Sequence, residues 1–385
     1  MVSAIIIGGG IVGVSIAYHV ADFFDDVYVI EKEPRLGEHA SSRSSEVIHA
    51  GIYYKPGSNK AKLCVKGNRI LRTEFLPRYH VNHNIVGKLI VARTENEISQ
   101  LEKLAQKAKE NDVPDTRIID TKEVRKFEPN VKSAGALYVP TSGIFDTSEY
   151  LNTLEKLAAD KGVIFVKNAE VVGIDPMNPG YNVHYSIGEN QQDPFQTDFV
   201  FNAAGLHADK IARMLGFNEH TIRAVRGEIA SFNQTRPEIQ FAMNIYPVPH
   251  TYNLPGGGST HTTGVHITPT LNEDGTLNQR NIITPLYSNP RFNVDGTQDV
   301  EDYNPEHPPE DFHARVVDFA PDLKVSDIKP PVGGNSAKLL ESKDFVFQGD
   351  GQYFATIGID SPGLTSSIPI GIEARKWLVE SHGFK

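Results

Sequence analysis

The sequence predicts an α/β protein in which a domain built on parallel strands is interrupted twice by segments of mixed or antiparallel sheet. Apolar strand patterns alternate with helical patterns over residues 1–80, 146–225 and 336–385. Residues 81–145 and 226–335 are richer in strands and loops, and from Arg226 to about residue 330 strand-like patches alternate with Pro-, Gly- and Asn-rich loops. The length of 385 residues also exceeds that of one average domain, so two interleaved domains are expected.

A glycine-rich turn between the first strand and the first helix indicates the type of α/β domain. Residues 4–7 are an apolar run, a G-x-G-x-x-G turn follows at once, and a helix is predicted over 14–20. Gly8 permits the tight turn, Gly10 lets a pyrophosphate approach bare backbone, and Gly13 lets the helix pack closely on the sheet. The helix amino terminus favours the negative charge of the phosphates. The pattern therefore predicts a Rossmann-like domain that binds a dinucleotide.

The second strand supports this interpretation. Residues 27–30 are apolar and deliver Glu31, whose carboxylate can bind ribose hydroxyls and would repel a 2′-phosphate. A glycine-rich turn in some other α/β protein is the alternative, but that turn alone would not need a strand, a helix and an acid in register.

The remaining elements are predicted from periodicity and capping signals. Residues 95–111 have the pattern of an exposed amphipathic helix, and Asp120 opens a short capped helix. Further helices are predicted near 60–75, 147–161, 208–215 and 370–380, and strands over 162–167, 198–202, 228–232, 264–268 and 351–359. The Pro-Gly-Gly-Gly-Ser run at 255–259 is expected to be an exposed, flexible loop.

Charge and composition exclude several classes of partner. The formal net charge is -10 and no basic run is present, so no nucleic-acid partner is expected. The single cysteine, Cys64, allows no intrachain disulfide and suits a buried position in a reducing compartment. Neither a membrane span nor a signal peptide is predicted, and the histidines lack metal-ligand spacing. A cytoplasmic protein is expected, although a mitochondrial or peripherally membrane-associated one would show the same features.

A polar loop follows the second strand. Ser41, Ser42, Arg43 and Ser45 come soon after the predicted ribose-binding acid, where they could bind a pyrophosphate or the edge of a cofactor ring. His49 then stands between apolar residues. Its position is equally compatible with a buried structural histidine and with a functional imidazole.

The chain resembles the D-amino-acid oxidase (DAO) superfamily of FAD-dependent oxidoreductases. The segments that carry this resemblance are the glycine-rich turn, the polar serine-rich loop, His49-Ala-Gly-Ile-Tyr-Tyr and Asn202-Ala-Ala-Gly. The interruption of the nucleotide-binding domain also favours a flavin over a nicotinamide alone. Within the superfamily the chain is most similar to L-2-hydroxyglutarate dehydrogenases. The motifs that carry this likeness run through most of the chain and include Lys62-Leu-Cys-Val-Lys-Gly67, Arg226-Gly-Glu228, Tyr246-Pro-Val-Pro249, Gly264-Val-His266-Ile-Thr-Pro269 and Gly358-Ile-Asp-Ser361-Pro-Gly-Leu-Thr-Ser-Ser367.

The resemblance implies non-covalently held FAD and oxidation of the Cα–OH of a small 2-hydroxy carboxylate, with hydride passing to flavin N5. His49 and His266 are the candidate catalytic bases, and Tyr53, Tyr54 and Arg226 are the candidate substrate-binding residues. Arg226 could instead form a structural ion pair with Glu228. The predicted cofactor-binding residues are Gly8, Gly10, Ile11, Val12, Gly13, Glu31, Lys32, Ser41, Ser42, Arg43, Ser45, Val47, His49, Ala50, Gly51, Val171, Ala203, Ala204, Gly205, Gly358, Ser361, Pro362, Gly363, Leu364 and Thr365.

The chain departs from the family pattern at several positions. It has Ser44 and Glu46 where the family usually has Asn and Gly, and Asn335 lies where the family often carries a Gly-Ile-Arg segment. Without that arginine, a monocarboxylate substrate becomes an alternative to a dicarboxylate. An amino-acid or amine oxidase, a glycerol-3-phosphate dehydrogenase and a non-catalytic flavin-binding protein are the alternative functions. The electron acceptor (a quinone, a flavoprotein or oxygen) is left open by the sequence.

Overall fold

The computed structural model describes residues 2–253, 259–262 and 264–384, and the chain forms two compact units. The first unit contains the chain up to Arg43, residues Thr147–Ala224 and the chain from Ser336 onward. The second contains Ser44–Asp146 and Val225–Asn335.

The placement of residues 44–80 differs from the sequence-based expectation, which put them in the nucleotide-binding domain. They belong to the second unit. The physical reason is strand pairing and side-chain bonding, because Val47–Ile48 pairs with Gly143–Phe145 and the Asn68 amide donates to the Thr141 carbonyl at 2.8 Å. These partners are distant in sequence, so local periodicity does not reveal them.

A six-stranded sheet forms the centre of the first unit. In spatial order its strands are Val346–Asp350, Tyr353–Ile357, Phe199–Asn202, Ser3–Ile7, Asp26–Ile30 and Ile164–Val166. Neighbouring strands run parallel except for the first pair, which is antiparallel. The central strands are short continuous runs of buried apolar residues, as expected for a sheet that is covered on both faces. The predicted α/β fold class is confirmed.

The helices of the first unit are Ile11–Val20, Thr147–Ala159, Ala208–Met214 and Gly363–His382, with short 3₁₀ turns at Ala21–Phe23 and Gly205–His207. Ile11–Val20 packs against Gly363–His382. Gly371 permits this close approach, because a Cβ there would lie 2.6 Å from the Ser15 carbonyl oxygen. A separate antiparallel sheet consists of Ala169–Pro176, Tyr181–Ile187, Asn190–Gln191 and Phe195–Thr197.

An eight-stranded mixed sheet forms the centre of the second unit. In spatial order its strands are Ile328–Leu339, Ile222–Asn233, Leu277–Tyr287, His266–Leu271, Asn244–Pro247, Lys88–Ala92, Gly135–Val139 and Arg117–Asp120. Asn244–Pro247 and Lys88–Ala92 run parallel to each other. Two of these strands extend a few residues beyond the second unit at its boundaries.

The two faces of this sheet have different surroundings. Leu89, Ile245, Ile267 and Ile283 pair in one row across four strands and belong to one buried core cluster that also contains Phe312. Because neighbouring residues of a strand point to opposite faces, the residues on either side of this row face the other way. That second face packs another buried apolar cluster, which includes Ile90 and Tyr246, and it also carries buried polar side chains such as Lys88 and His266; we call it the polar face.

Smaller elements complete the second unit. Its helices are Asn59–Ile70, Ile98–Glu110, Thr121–Phe127 and Pro309–Val316; the first continues through a π-helical segment, Leu71–Phe75, into Leu76–Arg78. Short 3₁₀ turns lie at Glu95–Glu97, Pro237–Ile239 and Val325–Asp327. The minor strands are Val47–Ile48, His83–Asn84 and Gly143–Phe145 in one sheet, and the pairs His250–Asn253 with Ser259–Thr262 and Arg291–Phe292 with Gln298–Asp299.

Two features differ from the predicted elements. The helix predicted over 370–380 is the last part of one helix, Gly363–His382, which contains Pro369 in its interior. Pro309–Val316 is a helix within an insertion for which only strands and loops were predicted. Pro255 to Gly258 of the predicted exposed loop lie outside the described residues. Within the described part of the chain, none of the helices combines the length and the apolar character that crossing a membrane requires.

Candidate active site

The predicted cofactor-binding turns of the first unit follow parallel strands whose carboxyl ends lie at one edge of the sheet. These strands end at Ile7, Ile30, Asn202 and Ile357. Open α/β sheets bind ligands beyond the carboxyl ends of their strands. The fold therefore gathers these turns at the edge where a dinucleotide would bind.

The glycine-rich turn has no room for side chains at two of its positions. Gly8 has φ of 103°, and a Cβ on it would lie 2.6 Å from the Ala203 carbonyl oxygen. A Cβ on Gly13 would lie 1.9 Å from the Gly8 carbonyl oxygen. Gly10 differs, since a Cβ there would have only the Ser41 hydroxyl nearby, at 3.4 Å. The backbone at Gly10 is thus less crowded than that at Gly8 and Gly13, and the approach of a pyrophosphate there remains a prediction.

The helix that follows presents its amino-terminal amides beside Gly10. The Ile11 amide donates to the Ser41 hydroxyl at 3.0 Å. Val12 and Gly13 lie in the same first turn, where helix geometry supplies no intrahelical acceptor for an amide. These amides and the helix dipole are suited to phosphate oxygens.

Glu31 is held at the end of the second strand by two backbone amides. Its Oε2 accepts from the Gly9 amide at 2.7 Å, and its Oε1 accepts from the Glu33 amide at 2.9 Å. Each carboxylate oxygen keeps a second acceptor position for a ribose hydroxyl. A Cβ on Gly9 would lie 2.4 Å from Leu36 Cδ2, so this position also excludes a side chain. Gly9 is a residue that the sequence-based site did not include.

The polar residues near this turn have different surroundings. Ser42 is exposed and its hydroxyl donates to the Glu38 carbonyl at 2.9 Å, so it stabilises its own turn. The Lys32 ammonium lies 3.3 Å from Glu33 Oε1. Arg43 is half-buried at the end of this segment of the first unit, whereas Ser45 belongs to the second unit. The roles predicted for these residues toward the cofactor remain predictions.

Asn202 organises the turn that contains Ala203, Ala204 and Gly205. Its Nδ2 donates to the Ala208 carbonyl at 2.7 Å and to the Tyr353 hydroxyl at 2.8 Å. Its Oδ1 accepts from the Ala204 amide at 3.2 Å. The Asn-Ala-Ala-Gly motif thus contains a buried side chain that fixes the turn and the start of the following helix.

The last predicted cofactor turn opens the helix Gly363–His382. Gly358 has φ of 68°, and a Cβ on it would lie 2.5 Å from Leu339 Cδ1. The Gly363 amide donates to the Asp360 carbonyl at 2.6 Å, while the Asp360 carboxylate bonds the Lys338 ammonium at 3.1 Å. This geometry holds Leu364 and Thr365 in the first helical turn, as the flavin-binding prediction requires. Val171, the residue predicted to frame the adenine, is buried in the strand Ala169–Pro176.

A second group of predicted site residues lies in the second unit, around the polar face of its large sheet. His266 and Tyr246 stack with ring centroids 3.7 Å apart, and Tyr53 stacks on Tyr246 at 6.5 Å. The Lys88 ammonium lies 3.8 Å from the centroid of the Tyr246 ring. The charge of Lys88 acts on the pKa of His49. We call His49, Tyr53, Lys88, Tyr246 and His266 the histidine–lysine cluster.

His266 is held in one tautomer. It is 5% exposed, and its Nδ1 lies 3.1 Å from the Gly264 carbonyl oxygen. Because a carbonyl only accepts, Nδ1 carries the proton and Nε2 keeps a lone pair. Nε2 is buried and has no hydrogen-bond partner among the described residues. Burial lowers the pKa of His266 to about 3, so the imidazole is a neutral acceptor at ordinary pH.

His49 follows the strand Val47–Ile48 and is fixed through its backbone. Its carbonyl accepts from the Asn68 amide at 3.1 Å and from the Cys64 thiol at 3.4 Å. Burial, followed by the charge of Lys88, lowers the pKa of His49 well below its ordinary value. Cys64 is buried, as predicted.

Lys88 is a residue of this cluster that the sequence-based site missed. Its side chain is 2% exposed, and burial lowers its pKa to about 7. Among the described residues no carboxylate forms an ion pair with its ammonium. The only signal in the sequence is a lysine directly before the apolar run Leu-Ile-Val-Ala, which also suits an ordinary strand start.

The tyrosines and glycine after His49 have distinct surroundings. The Tyr53 hydroxyl is buried without a hydrogen-bond partner among the described residues, and burial raises its pKa well above the ordinary value. Tyr54 is half-buried, and its carbonyl accepts from the Asn111 amide at 3.0 Å.

Gly51 has φ of 100°, and a Cβ there would lie 2.6 Å from Val65 Cγ2. The left-handed backbone and the contact with Val65 both require glycine at this position, and its predicted role toward the cofactor remains a prediction. Ala50 is buried in the same apolar cluster as Tyr246.

Arg226 is buried elsewhere in the second unit. Its Nη1 lies 3.6 Å from Glu306 Oε1, and none of its side-chain nitrogens has a hydrogen-bond partner among the described residues. Glu228, the ion-pair partner considered from the sequence, instead accepts from the amides of Glu306 and His307 at 2.8 and 3.0 Å. The structural ion pair of Arg226 is thus made with Glu306, and the contacts described for it do not include the histidine–lysine cluster.

The chain is similar to known proteins over nearly its whole length. The model of a family described as FAD dependent oxidoreductase (DAO) matches residues 3–377. An L-2-hydroxyglutarate dehydrogenase of Escherichia coli O17:K52:H18 is 28% identical, over 96% of this chain and 92% of that protein. A glycerol 3-phosphate dehydrogenase of Caloramator mitchellensis is 35% identical over 61% of this chain and 48% of that protein. The solved structure of L-alpha-glycerophosphate oxidase from Mycoplasma pneumoniae, with FAD bound, has a TM-score of 0.82 at 23% identity and covers 98% of this chain and 95% of that one.

Proposed function

The chain belongs to the family of FAD-dependent oxidoreductases, and on that premise we propose that it oxidises the Cα–OH of a small 2-hydroxy carboxylate to the 2-oxo acid. The observation that carries this proposal is the histidine–lysine cluster, which places a neutral imidazole, tyrosine hydroxyls and a cation together. A 2-hydroxy carboxylate presents a hydroxyl that must lose a proton and a carboxylate that needs cationic or hydroxyl partners. The relatives named as L-2-hydroxyglutarate dehydrogenases support the same substrate class.

The first unit suits FAD, which is the cofactor of the family. The open backbone at Gly10 and the first-turn amides of Val12 and Gly13 would hold the pyrophosphate, and Glu31 would hold the adenosine ribose. When bound, FAD supplies the acceptor for the hydride that leaves the substrate. The protein must bind that substrate, orient it and remove its hydroxyl proton.

His266 is suited to accept the hydroxyl proton. Its Nδ1–H is fixed on the Gly264 carbonyl, so Nε2 presents a lone pair without rotation of the ring. His49 is the second candidate, because burial also keeps its imidazole neutral. Tyr53, whose hydroxyl is buried without a described partner, is proposed to donate to the substrate carboxylate. Tyr54 and Arg226 remain further candidates for anionic groups of the substrate.

A glycerol-3-phosphate dehydrogenase is the second candidate function, favoured by the relative from Caloramator mitchellensis. A phosphate ester carries up to two negative charges and favours several cations around it. Among the described residues, Lys88 is the cation that lies against the rings of Tyr53 and Tyr246. One cation at this place suits a carboxylate better than a phosphate.

The direct test is anaerobic reduction of the purified holoenzyme. L-2-Hydroxyglutarate, L-lactate, glycerol 3-phosphate and glycine are added separately, and the loss of flavin absorbance is followed. We expect a 2-hydroxy acid to bleach the flavin fastest. Bleaching by glycerol 3-phosphate alone would support the second candidate, and bleaching by glycine alone would support an amino-acid oxidase.

Two variants test the base. His266→Ala and His49→Ala are compared with His83→Ala, a half-buried histidine that bonds the Val81 carbonyl and serves as the control. Loss of a general base slows flavin reduction by roughly 10²–10⁴-fold, so we expect such a loss in one of the first two variants and none in the control. If both retain the wild-type rate within about tenfold, neither histidine is the base.

A further inference from the structure

Lys88 has surroundings that a structural lysine rarely has. Its side chain is 2% exposed, and no carboxylate among the described residues pairs with it. Its ammonium instead lies over the ring of Tyr246, 3.8 Å from the centroid, and 5.7 Å from that of Tyr53. A cation–π contact offsets only part of the cost of removing an ammonium from water.

The fold places Lys88 on the polar face of the large sheet. Lys88 pairs with Asn244 in the neighbouring parallel strand, and Leu89 pairs with Ile245. Since Leu89 points into the apolar core, Lys88 points to the opposite face, toward Tyr246 and His266.

Two buried polar atoms near Lys88 lack partners. The hydroxyl of Tyr53 and the Nε2 atom of His266 have no hydrogen-bond partner among the described residues. Buried polar groups in native proteins are almost always hydrogen-bonded, so two orphaned atoms beside an unneutralised cation indicate a place for a ligand. That ligand must be small, anionic and able to exchange hydrogen bonds with a hydroxyl and an imidazole.

We propose that Lys88 binds the carboxylate of the substrate and is the residue that restricts this enzyme to anionic substrates. This inference rests on the proposed 2-hydroxy-acid activity and adds a residue to which no role was assigned from the sequence. The carboxylate would neutralise the buried ammonium, which has no carboxylate partner among the described residues. Lys88 is thus a substrate-binding and specificity-determining residue.

The same arrangement predicts that anion binding depends on pH. Burial lowers the pKa of Lys88 to about 7, so above that pH the free enzyme must take up a proton to present a cation. The other titratable groups of the cluster, and the nearby thiol of Cys64, keep one charge state across pH 6–9. Burial lowers the pKa of the imidazoles of His49 and His266 and raises that of the Cys64 thiol and of the phenols of Tyr53 and Tyr246.

The proposal is tested by measuring how tightly 2-oxoglutarate binds to the oxidised holoenzyme, with the change in flavin absorbance as the signal. The neutral dimethyl ester of 2-oxoglutarate is the control ligand, because it keeps the carbon skeleton and lacks the negative charges. Lys88→Met removes the charge and keeps the length of the side chain. Lys329→Met is the control, since Lys329 is exposed at the edge strand of the same sheet. We expect Lys88→Met to weaken 2-oxoglutarate binding roughly tenfold or more and to leave the ester almost unaffected. Lys329→Met should bind both ligands as the wild type does.

The pH dependence requires no variant and covers the case in which Lys88→Met does not retain FAD. For the wild type, Kd for 2-oxoglutarate should rise about tenfold per pH unit above the pKa of Lys88, while Kd for the ester stays constant. A Kd for 2-oxoglutarate that is constant from pH 7 to 9, or equal in wild type and Lys88→Met, overturns the role of Lys88. Failure of every 2-hydroxy acid to bleach the wild-type flavin would instead overturn the proposed function itself.

Discussion

Glu46 occupies a left-handed backbone conformation, with φ of 57°. Its amide bonds the Ser44 hydroxyl at 3.2 Å, and its carbonyl accepts from the Phe145 amide at 3.1 Å, so the conformation is fixed from both sides. This conformation costs a residue with a Cβ about 1–2 kcal/mol relative to the right-handed one, whereas glycine adopts it freely. Glycine is therefore the residue that this backbone conformation favours, and this chain carries Glu46 there at a cost in strain.

Glu46→Gly is therefore expected to raise the free energy of unfolding by about 0.5–1 kcal/mol. This figure is the backbone strain that glycine relieves, minus the cost of the extra conformational entropy that glycine has in the unfolded chain. Glu46→Ala is the control, because it removes the same carboxylate but keeps the Cβ. Denaturant unfolding of the holoenzyme measures both. A glycine variant no more stable than the alanine variant would show that backbone strain is not what distinguishes this position.

At the scale of secondary-structure elements, Asn202 joins a strand, a turn and a helix. One side chain bonds the Ala204 amide, the Ala208 carbonyl and the Tyr353 hydroxyl, all in a fully buried position. The turn it stabilises contains three of the predicted cofactor-binding residues. Its amide is thus a support for the nucleotide edge of the sheet rather than a contact to the ligand.

Asn202→Ala leaves buried backbone and hydroxyl groups without partners and is expected to destabilise the protein by about 2–4 kcal/mol. The alanine variant should also retain less FAD than the wild type on gel filtration. Asn202→Asp keeps an acceptor for the Ala204 amide, and the Tyr353 hydroxyl can donate to the new carboxylate, but the Ala208 carbonyl loses its donor and faces a second acceptor, so this variant should be destabilised through the Ala208 contact. Unfolding of the alanine variant within about 0.5 kcal/mol of the wild type would contradict this role.

For the whole molecule, stability should depend on pH through a group outside the predicted site. Glu128 is 1% exposed, and its Oε1 accepts from the amides of Ala242 and Met243 at 2.8 and 2.6 Å. Burial raises its pKa from the ordinary 4.5 to about 7, against the effect of those two amides. The folded protein therefore binds more protons than the unfolded chain between these two values. The stabilising contribution of Glu128 is complete below pH 4.5 and is lost as the pH rises through about 7.

Glu128→Gln removes this titration and keeps an oxygen acceptor. The difference in unfolding free energy between wild type and Glu128→Gln should shift in favour of the variant as the pH rises from about 4.5 to about 7, and should be constant above that range. Subtracting the variant cancels the contributions of the buried histidines. Glu102→Gln, at an exposed position of the helix Ile98–Glu110, is the control and should show no such shift.

Local patterns in the sequence were sufficient for most of the first unit. The glycine turn, the acid after the second strand and the helix amino terminus obey rules that involve neighbouring residues, and the structure has each of them. The placement of residues 44–80, the helix Pro309–Val316 and the ion pair of Arg226 with Glu306 differed from expectation. Each depends on partners far away in the chain.

By itself the sequence determined the α/β class, the strand–turn–helix for a dinucleotide and the family, because glycine sterics and hydrophobic periodicity are local properties that short segments record. Only the tertiary structure decided that Lys88, Tyr246 and His266 lie together, and that the histidine retains an unprotonated Nε2 while the lysine has no described carboxylate partner. Burial and charge pairing depend on the packing of separate strands. For this reason no periodicity in the sequence distinguishes Lys88 from a lysine at an ordinary strand end.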